Sequence, residues 1–446
     1  MKPERKPRKL CIVLAIAVLL LAGCTPKTPL PAPPSNDTIQ PTADPLSIAA
    51  QHVTAGEYTA AVSLYRQALQ AAPDDPRPAL ELARLYYTWK RPQSGLIALD
   101  EATRRNASTE ETAPLRLALL ALDGDWPRVT TEAEARLAAV PDDVTALEWL
   151  TRAQLQQYEC AAAATTARHW YTVAPDNRDA RIILGALEDD AVSLCEAEAR
   201  FCTLPQVEGT VQLGSLLVHD GNWSLAACVL TRAVAANDAS AEAHAWLGEA
   251  LTRIGRPEEG RPHLVKAITL APQSPLPWLL LGLHDLGQQR TDTAAQALQH
   301  ARSLDPTNPL IYLSMAEVKA QSGDYDEVDA WIAAALNTAP KDADIAKAAA
   351  RFYLERHLIQ NEYPIRPIQS AIQIAPQDGE AYMLLGWYRL MTNDWNGARA
   401  ALDEAIKLAP DLGQAHYLRG LALQATGDAE AARQAITRAA DLGYWP

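Results

Sequence analysis

Residues 42 to 446 repeat themselves with a period of 34, and that period constrains the fold more than any other feature. Counted back from the C-terminus, such units run 413–446, 379–412, 309–342, 275–308, 241–274 and 207–240. Upstream they recur at 144–177, 110–143, 76–109 and 42–75. Two units break the count: 343–378 carries two extra residues, and 178–206 is five short. Within 275–308, Trp278, Leu281 and Gly282 fall at i, i+3 and i+4, the apolar stripe of one helix. After a turn around Gly287-Gln288-Gln289, the residues Ala294, Leu298 and Ala301 repeat the spacing for a second helix. Pro306 then ends it, because proline cannot continue a helix. A helix pair of this size cannot bury its stripe alone, so it must stack on copies of itself.

Sister units fill the same places. Tyr382, Leu385, Gly386, Ala398, Leu402, Ala405 and Pro410 form one such set. His244, Leu247, Gly248, Leu264, Ala267 and Pro272 form another, as do Tyr312, Met315, Ala316, Ile332, Ala335 and Pro340. The small residues suit two helices that approach closely. Between the helices a short turn recurs, as Gly56-Glu57-Tyr58, Gly124-Asp125-Trp126, Gly221-Asn222-Trp223, Gly323-Asp324-Tyr325 and Asn393-Asp394-Trp395. Glycine there suits the left-handed end of the first helix, and the acid or amide suits the start of the next.

This pattern resembles the tetratricopeptide repeat over residues 42–446. The resemblance implies an all-α, right-handed α-solenoid of about twelve helix-turn-helix units, with the first helix of each unit on the concave face. The compressed unit 178–206 divides the array into an N-terminal block, 42–206, and a C-terminal block, 207–446, with a kink or break expected between them. Asn361-Glu362-Tyr363-Pro364 lengthens the turn of the tenth unit. No separate capping helix follows the last repeat, and Tyr444-Trp445 is expected to fold back over its end.

The first 23 residues belong to a different class of segment. Lys2, Arg5, Lys6, Arg8 and Lys9 precede an apolar stretch from Leu10 to Leu21, which ends in Leu21-Ala22-Gly23-Cys24. The stretch is short for a permanent membrane span. Small residues before a cysteine resemble the lipobox of bacterial lipoproteins, which implies a signal peptide over 1–23 and lipidation of Cys24. Residues 24–45 follow with seven prolines, a composition that makes an extended tether rather than a core. Thr25 stands where an aspartate often retains lipoproteins on an inner membrane, so the reading leans towards an outer membrane in a cell that has one. The formal charge is −14, and residues 1–23 contribute +4, which leaves −18 from Cys24 onward. Such a surface repels nucleic acid and anionic headgroups, so the expected membrane attachment is the lipid on Cys24.

No catalytic constellation stands out. His-Glu-x-x-His, a phosphate loop and a Gly-x-Ser-x-Gly elbow are all missing from the sequence. The histidines are scattered, and His244 and His416 fall where sister units carry Trp278 or Tyr382, which reads as packing rather than metal binding. Trp126, Trp223 and Trp395 share one place beside the turn and read the same way. No cofactor, metal or small-molecule substrate is expected, and the chain is not expected to be an enzyme. Beyond Cys24 the cysteines Cys160, Cys195, Cys202 and Cys228 cluster around the irregular unit. In an exported protein they suggest one or two disulfides, with buried thiols the alternative. On one continuous helix Cys195 and Cys202 would stand about 10 Å apart, too far for a bridge.

Off the Trp-Leu-Gly stripe, the first helices carry Leu279, Leu283 and Leu286, then Leu313, then Met383, Trp387 and Leu390, and finally Tyr417 and Leu421. Apolar residues at places that could be polar mark a candidate groove for a protein or peptide. The alternative is a superhelix wound tightly enough to cover them itself. The basic-and-Asn clamp that some family members use for peptide carboxylates is not found at the matching places. The expected function is therefore a lipid-anchored protein-binding scaffold at the bacterial cell envelope. The alternative is a non-catalytic regulatory or substrate-binding subunit of an envelope enzyme or of a secretion, pilus or peptidoglycan complex.

Overall fold

A computed structural model describes residues 44–198, 201, 209–359 and 363–444. The signal segment, Cys24, all but the last two residues of the tether, Cys202 and Trp445 lie outside them. Residues from Asp44 onward form one compact unit. The described residues make twelve helix pairs. The first three are α1 (Pro45–Thr54) with α2 (Tyr58–Ala71), α3 (Arg77–Thr88) with α4 (Pro92–Arg104), and α5 (Thr109–Asp123) with α6 (Trp126–Ala139). Next come α7 (Val144–Gln156) with α8 (Cys160–Val173), α9 (Arg178–Glu188) with α10 (Ala191–Ala197), and α11 (Gly209–His219) with α12 (Trp223–Ala236). Units 7 to 9 are α13 (Ala241–Arg253) with α14 (Pro257–Leu270), α15 (Pro275–Gly287) with α16 (Thr291–Leu304), and α17 (Pro309–Gln321) with α18 (Tyr325–Thr338). The last three are α19 (Ala343–Glu355) with α20 (Ile365–Ile374), α21 (Gly379–Met391) with α22 (Trp395–Leu408), and α23 (Gly413–Ala425) with α24 (Ala429–Asp441). The protein is an all-helical α-solenoid.

Local chemistry sets the helix ends. Asp143, Asn177 and Ser240 each accept a backbone N–H at the start of a first helix, at 2.8, 3.0 and 3.2 Å. Ser108 and Glu111 form a reciprocal capping box on α5. Among the described residues, the turn inside every pair holds one residue at positive φ. Six of these are glycine, from Gly56 (φ 70°) to Gly427 (φ 90°), and the other six are Lys90, Tyr158, Asp189, Gln289, His357 and Asn393. Half the turns thus reach the left-handed region without glycine, which Tyr158 and Lys90 give no sequence cue for.

The small residues explain the packing inside each pair. A Cβ added at Gly248 or Gly282 would lie 2.6 Å from Leu264 Cγ or Leu298 Cγ, inside contact distance. The aromatic of the stripe has a second task. Trp278 Nε1 donates to the Pro272 carbonyl (3.0 Å), and the Tyr312 hydroxyl donates to that of Pro306 (2.8 Å). In these two units the aromatic therefore ties the first helix to the proline that ends the preceding unit. His416 makes the same bond to Pro410 (3.0 Å), and His244 sits 3.1 Å from the Asp238 carbonyl.

In the fifth unit the second helix shrinks to the seven residues of α10. One core cluster nevertheless runs across it, from Leu147 and Trp170 through Ile183, Leu194 and Phe201 to Leu213, Leu230 and Leu251. This cluster draws residues from both sides of the irregular unit, where a kink or break is expected from the sequence. With little second helix in the way, α12 packs back against α9 and α7.

Candidate inner-face binding site

First helices of successive units touch one another, as α11 touches α13, α13 touches α15, and α21 touches α23. Second helices of successive units make no comparable contact among the described residues. The array therefore curves with its first helices inside, and their outward side chains form the inner face.

The structure divides the nine candidate groove residues into two groups. Leu279 and Leu286 are buried with Ile311, Met315 and Val318, and Met383 is buried with Leu384, Leu402 and Leu418. These three are corrected from groove to core, because the step between adjacent first helices presses that edge of each helix against its neighbour. The other six, Leu283, Leu313, Trp387, Leu390, Tyr417 and Leu421, are half-buried. Trp387, Leu390, Tyr417 and Leu421 come together over one cluster on α21 and α23. Tyr444 also reaches this end, its ring centroid 5.6 Å from that of Tyr417.

Between α17, α19 and α21 the inner face opens into a cavity of about 490 Å³ with an apolar floor of Leu313, Ala348 and Phe352. Its walls are charged. Lys347 Nζ lies 2.7 Å from Asp378, 2.9 Å from Glu380 and 3.0 Å from Asp344. Arg351 pairs with Glu380, and Arg356 pairs with Glu317. Burial alone pulls Lys347 down, but its bonds to Asp378, Glu380 and Asp344 outweigh it and hold the ammonium above the ordinary lysine range. Sequence reasoning missed this cradle. Its cue was Lys347 and Arg351 at i and i+4 on the first helix of the tenth unit, off the apolar stripe.

A second cavity of about 370 Å³ lies beside the irregular unit, lined by Trp149, Arg152, Asp179, Ile183 and Ser224 among others. Arg152 bridges Glu148 (3.0 Å) and Asp179 (2.7 Å) on adjacent first helices. Behind it, Cys160 on α8 and Cys228 on α12 are joined in a disulfide across 68 residues, with Cα atoms 5.5 Å apart. Gln156 donates to Ser224 at 3.1 Å, and Tyr158 bonds to Thr231, along the same seam. Cys195 is disulfide-bonded as well. The spacing argument against a Cys195–Cys202 bridge needed one continuous helix, and α10 ends at Ala197. No group of three or more His, Cys, Asp or Glu able to hold a metal ion occurs among the described residues.

Sequence models of the tetratricopeptide repeat match residues 52–119, 211–275, 285–352 and 383–443. The chain is a tetratricopeptide-repeat protein. Such repeats are typically non-catalytic scaffolds that bind protein or peptide partners. No curated protein matches the chain. Among solved structures, yeast Tom70 is similar at 14% identity and a TM-score of 0.40, covering 89% of this chain and 91% of its own. PilF of Pseudomonas aeruginosa is similar at 20% identity and a TM-score of 0.37, covering 46% and 91%. PilW, a type IV pilus biogenesis factor, stands at 16% and 0.38, covering 44% and 90%. At these values the likeness carries no argument about function.

Proposed function

We propose that this tetratricopeptide-repeat protein is an exported lipoprotein, anchored through Cys24, that recruits a protein or peptide partner at the cell envelope on its inner face. The observation that carries the reading is the Cys160–Cys228 disulfide. Cytosolic thiols are kept reduced in most cells, and a staple between two helices far apart in sequence belongs to an oxidising compartment. The Leu-Ala-Gly-Cys ending at Cys24 and the proline-rich run after it supply the anchor and the tether. Among the described residues no helix is long and apolar enough to cross a membrane. In a two-membrane cell Thr25 favours the outer membrane as destination.

The anchor is tested with Cys24→Ser, which removes the sulfur that accepts the lipid. The variant should leave the membrane fraction, and retention there after a high-salt wash would end the lipoprotein reading. Recruitment is tested separately, with the chain from Cys24 onward as bait. A partner held by the wild type and lost from Arg351→Ala with Arg356→Ala supports the inner face as the binding surface. Equal capture by both chains assigns the partner to another surface.

A further inference from the structure

The tenth unit departs from the period: it is two residues longer, and α20 begins only at Ile365 and runs for ten residues. Beside that departure lies a cavity of about 240 Å³ that shares no lining residue with the inner-face cavity. Three tyrosines line it: Tyr325 at the start of α18, Tyr353 on α19 and Tyr363 in the long turn. The rings of Tyr353 and Tyr363 stack with centroids 5.7 Å apart, and Tyr325 is 52% exposed. Asp326 and Asp329 of α18 line the same cavity. The Tyr353 hydroxyl donates to Asp329 at 2.7 Å, and burial together with that carboxylate holds the proton on the tyrosine. The neighbouring acids Asp324 and Glu327 share Lys319, whereas Asp326 and Asp329 are in no ion pair among the described residues. Arg366 of α20, whose charge reaches Tyr353, does not line the cavity.

We propose that this cavity takes the guanidinium of an arginine side chain carried by a polypeptide partner. Another junction of the array shows the same place filled from within. Trp223 of unit 6 is the counterpart of Tyr325, and Arg253 of unit 7 lies over its ring, 5.3 Å from the centroid. The same offset in unit 10 falls on Glu355, which is exposed at the inner-face cavity, so the chain supplies no cation from that place. The acid is particular to this unit as well. Of the ten 34-residue units the ninth alone has an acid at the place of Asp329, where units 7, 11 and 12 have Arg261, Arg399 and Arg433. Ring faces attract cations, and a planar guanidinium stacks on a ring while its fork pairs with carboxylates, which a lysine ammonium cannot match. Size favours one side chain over a free ligand, because the cavity is smaller than the ~300–1,000 Å³ of small-molecule sites. A formal charge of −14 favours a basic partner too. The proposal rests on the partner being a polypeptide, but its test reads this cavity with a small probe, so it and the inner-face reading fail separately.

With 3-fluorotyrosine at position 325 of the full-length protein, fluorine NMR reads the cavity directly. Acetyl-arginine amide should shift that signal saturably at millimolar concentration. The lysine analogue should bind severalfold more weakly, and the neutral citrulline analogue should leave the signal in place. Asp326→Asn with Asp329→Asn should weaken the arginine probe about tenfold, while asparagine keeps an acceptor for the Tyr353 hydroxyl. Should that variant lose its helical circular dichroism, Glu355→Arg at an exposed position decides instead. It should lay the chain's own guanidinium over Tyr325, as Arg253 lies over Trp223, and abolish the response to the probe. Equal responses to the arginine and citrulline probes, or undiminished arginine binding in either variant, overturn the proposal. Tighter binding of tetramethylammonium than of the arginine probe overturns it as well, by assigning the cavity to a free organic cation.

Discussion

Between units 7 and 8 the array is held by local shape: Leu264 and Ala267 pack under Leu280 and Leu281, with Gly248 and Gly282 bare against the leucines of their own partner helices. Between units 4 and 6 it is held across a gap. There α10 is too short to separate its neighbours, so α12 meets α7 and α9, and the Cys160–Cys228 bridge and the Gln156–Ser224 bond span the seam. The regular region needs nothing beyond nearest-neighbour packing, as expected of a one-dimensional repeat. The irregular region shows that a shortened unit is tolerated when longer-range contacts replace the missing helix.

The largest test of this contrast removes the bridge. Cys160→Ser should cost about 2–4 kcal/mol, the usual worth of a native disulfide, with increased exchange confined to units 4 to 6. Alkylation of the protein isolated from its own cells gives a direct check, and freely alkylated Cys160 and Cys228 would show that no staple forms. Gly282→Leu probes the regular side and should cost ~1–3 kcal/mol through overpacking of α15 on α16. Its effect should spread to units 7 and 9 and spare the disulfide seam. Trp387→Ala comes next. A half-buried aromatic should cost about half the ~3–5 kcal/mol of a fully buried one, read as a fall in melting temperature. Retained partner capture in that variant would leave Trp387 as packing alone.

The smallest effect is on pH. His263, His284 and His416 lie in the C-terminal block, and burial holds each below the ordinary histidine range, with the His244 charge adding to the effect at His263. The unfolded chain therefore binds protons first as pH falls below about 6.5, and stability is lost on the acid side. Melting curves at about pH 7.5 and 5.5 should differ, with units 7, 8 and 12 loosening first, and an acid-stabilised block would contradict the assignment.

Much of the fold was legible because its contacts are local. Leu281 with Gly282, Ala294 and Leu298 sit within one period, so their spacing alone predicts the pair. His416 was readable too, since it stands in the aromatic's place and makes the aromatic's bond to Pro410. The site was less legible. Leu279 and Leu283 lie on the same side of one helix, yet one is buried and the other half-buried. The difference depends on how closely the next first helix approaches, which no spacing within a unit records. The charged cradle escaped because Lys347 lies on α19, while Asp378 at the start of α21 and Glu380 on α21 meet it only after α21 stacks beside α19.

The sequence by itself determined the period, the paired helices, the close-packed glycines and the short fifth unit, all set by residues within one repeat of each other. The tertiary structure alone decided the Cys160–Cys228 pairing, the burial of Leu279, Leu286 and Met383, and the return of Ala440 and Asp441 to Trp89 and Thr59. Those last partners stand 351 and 382 residues apart. Each unit adds a small rotation to the one before it, and whether the two ends meet depends on the sum over all twelve, a quantity that no single unit contains.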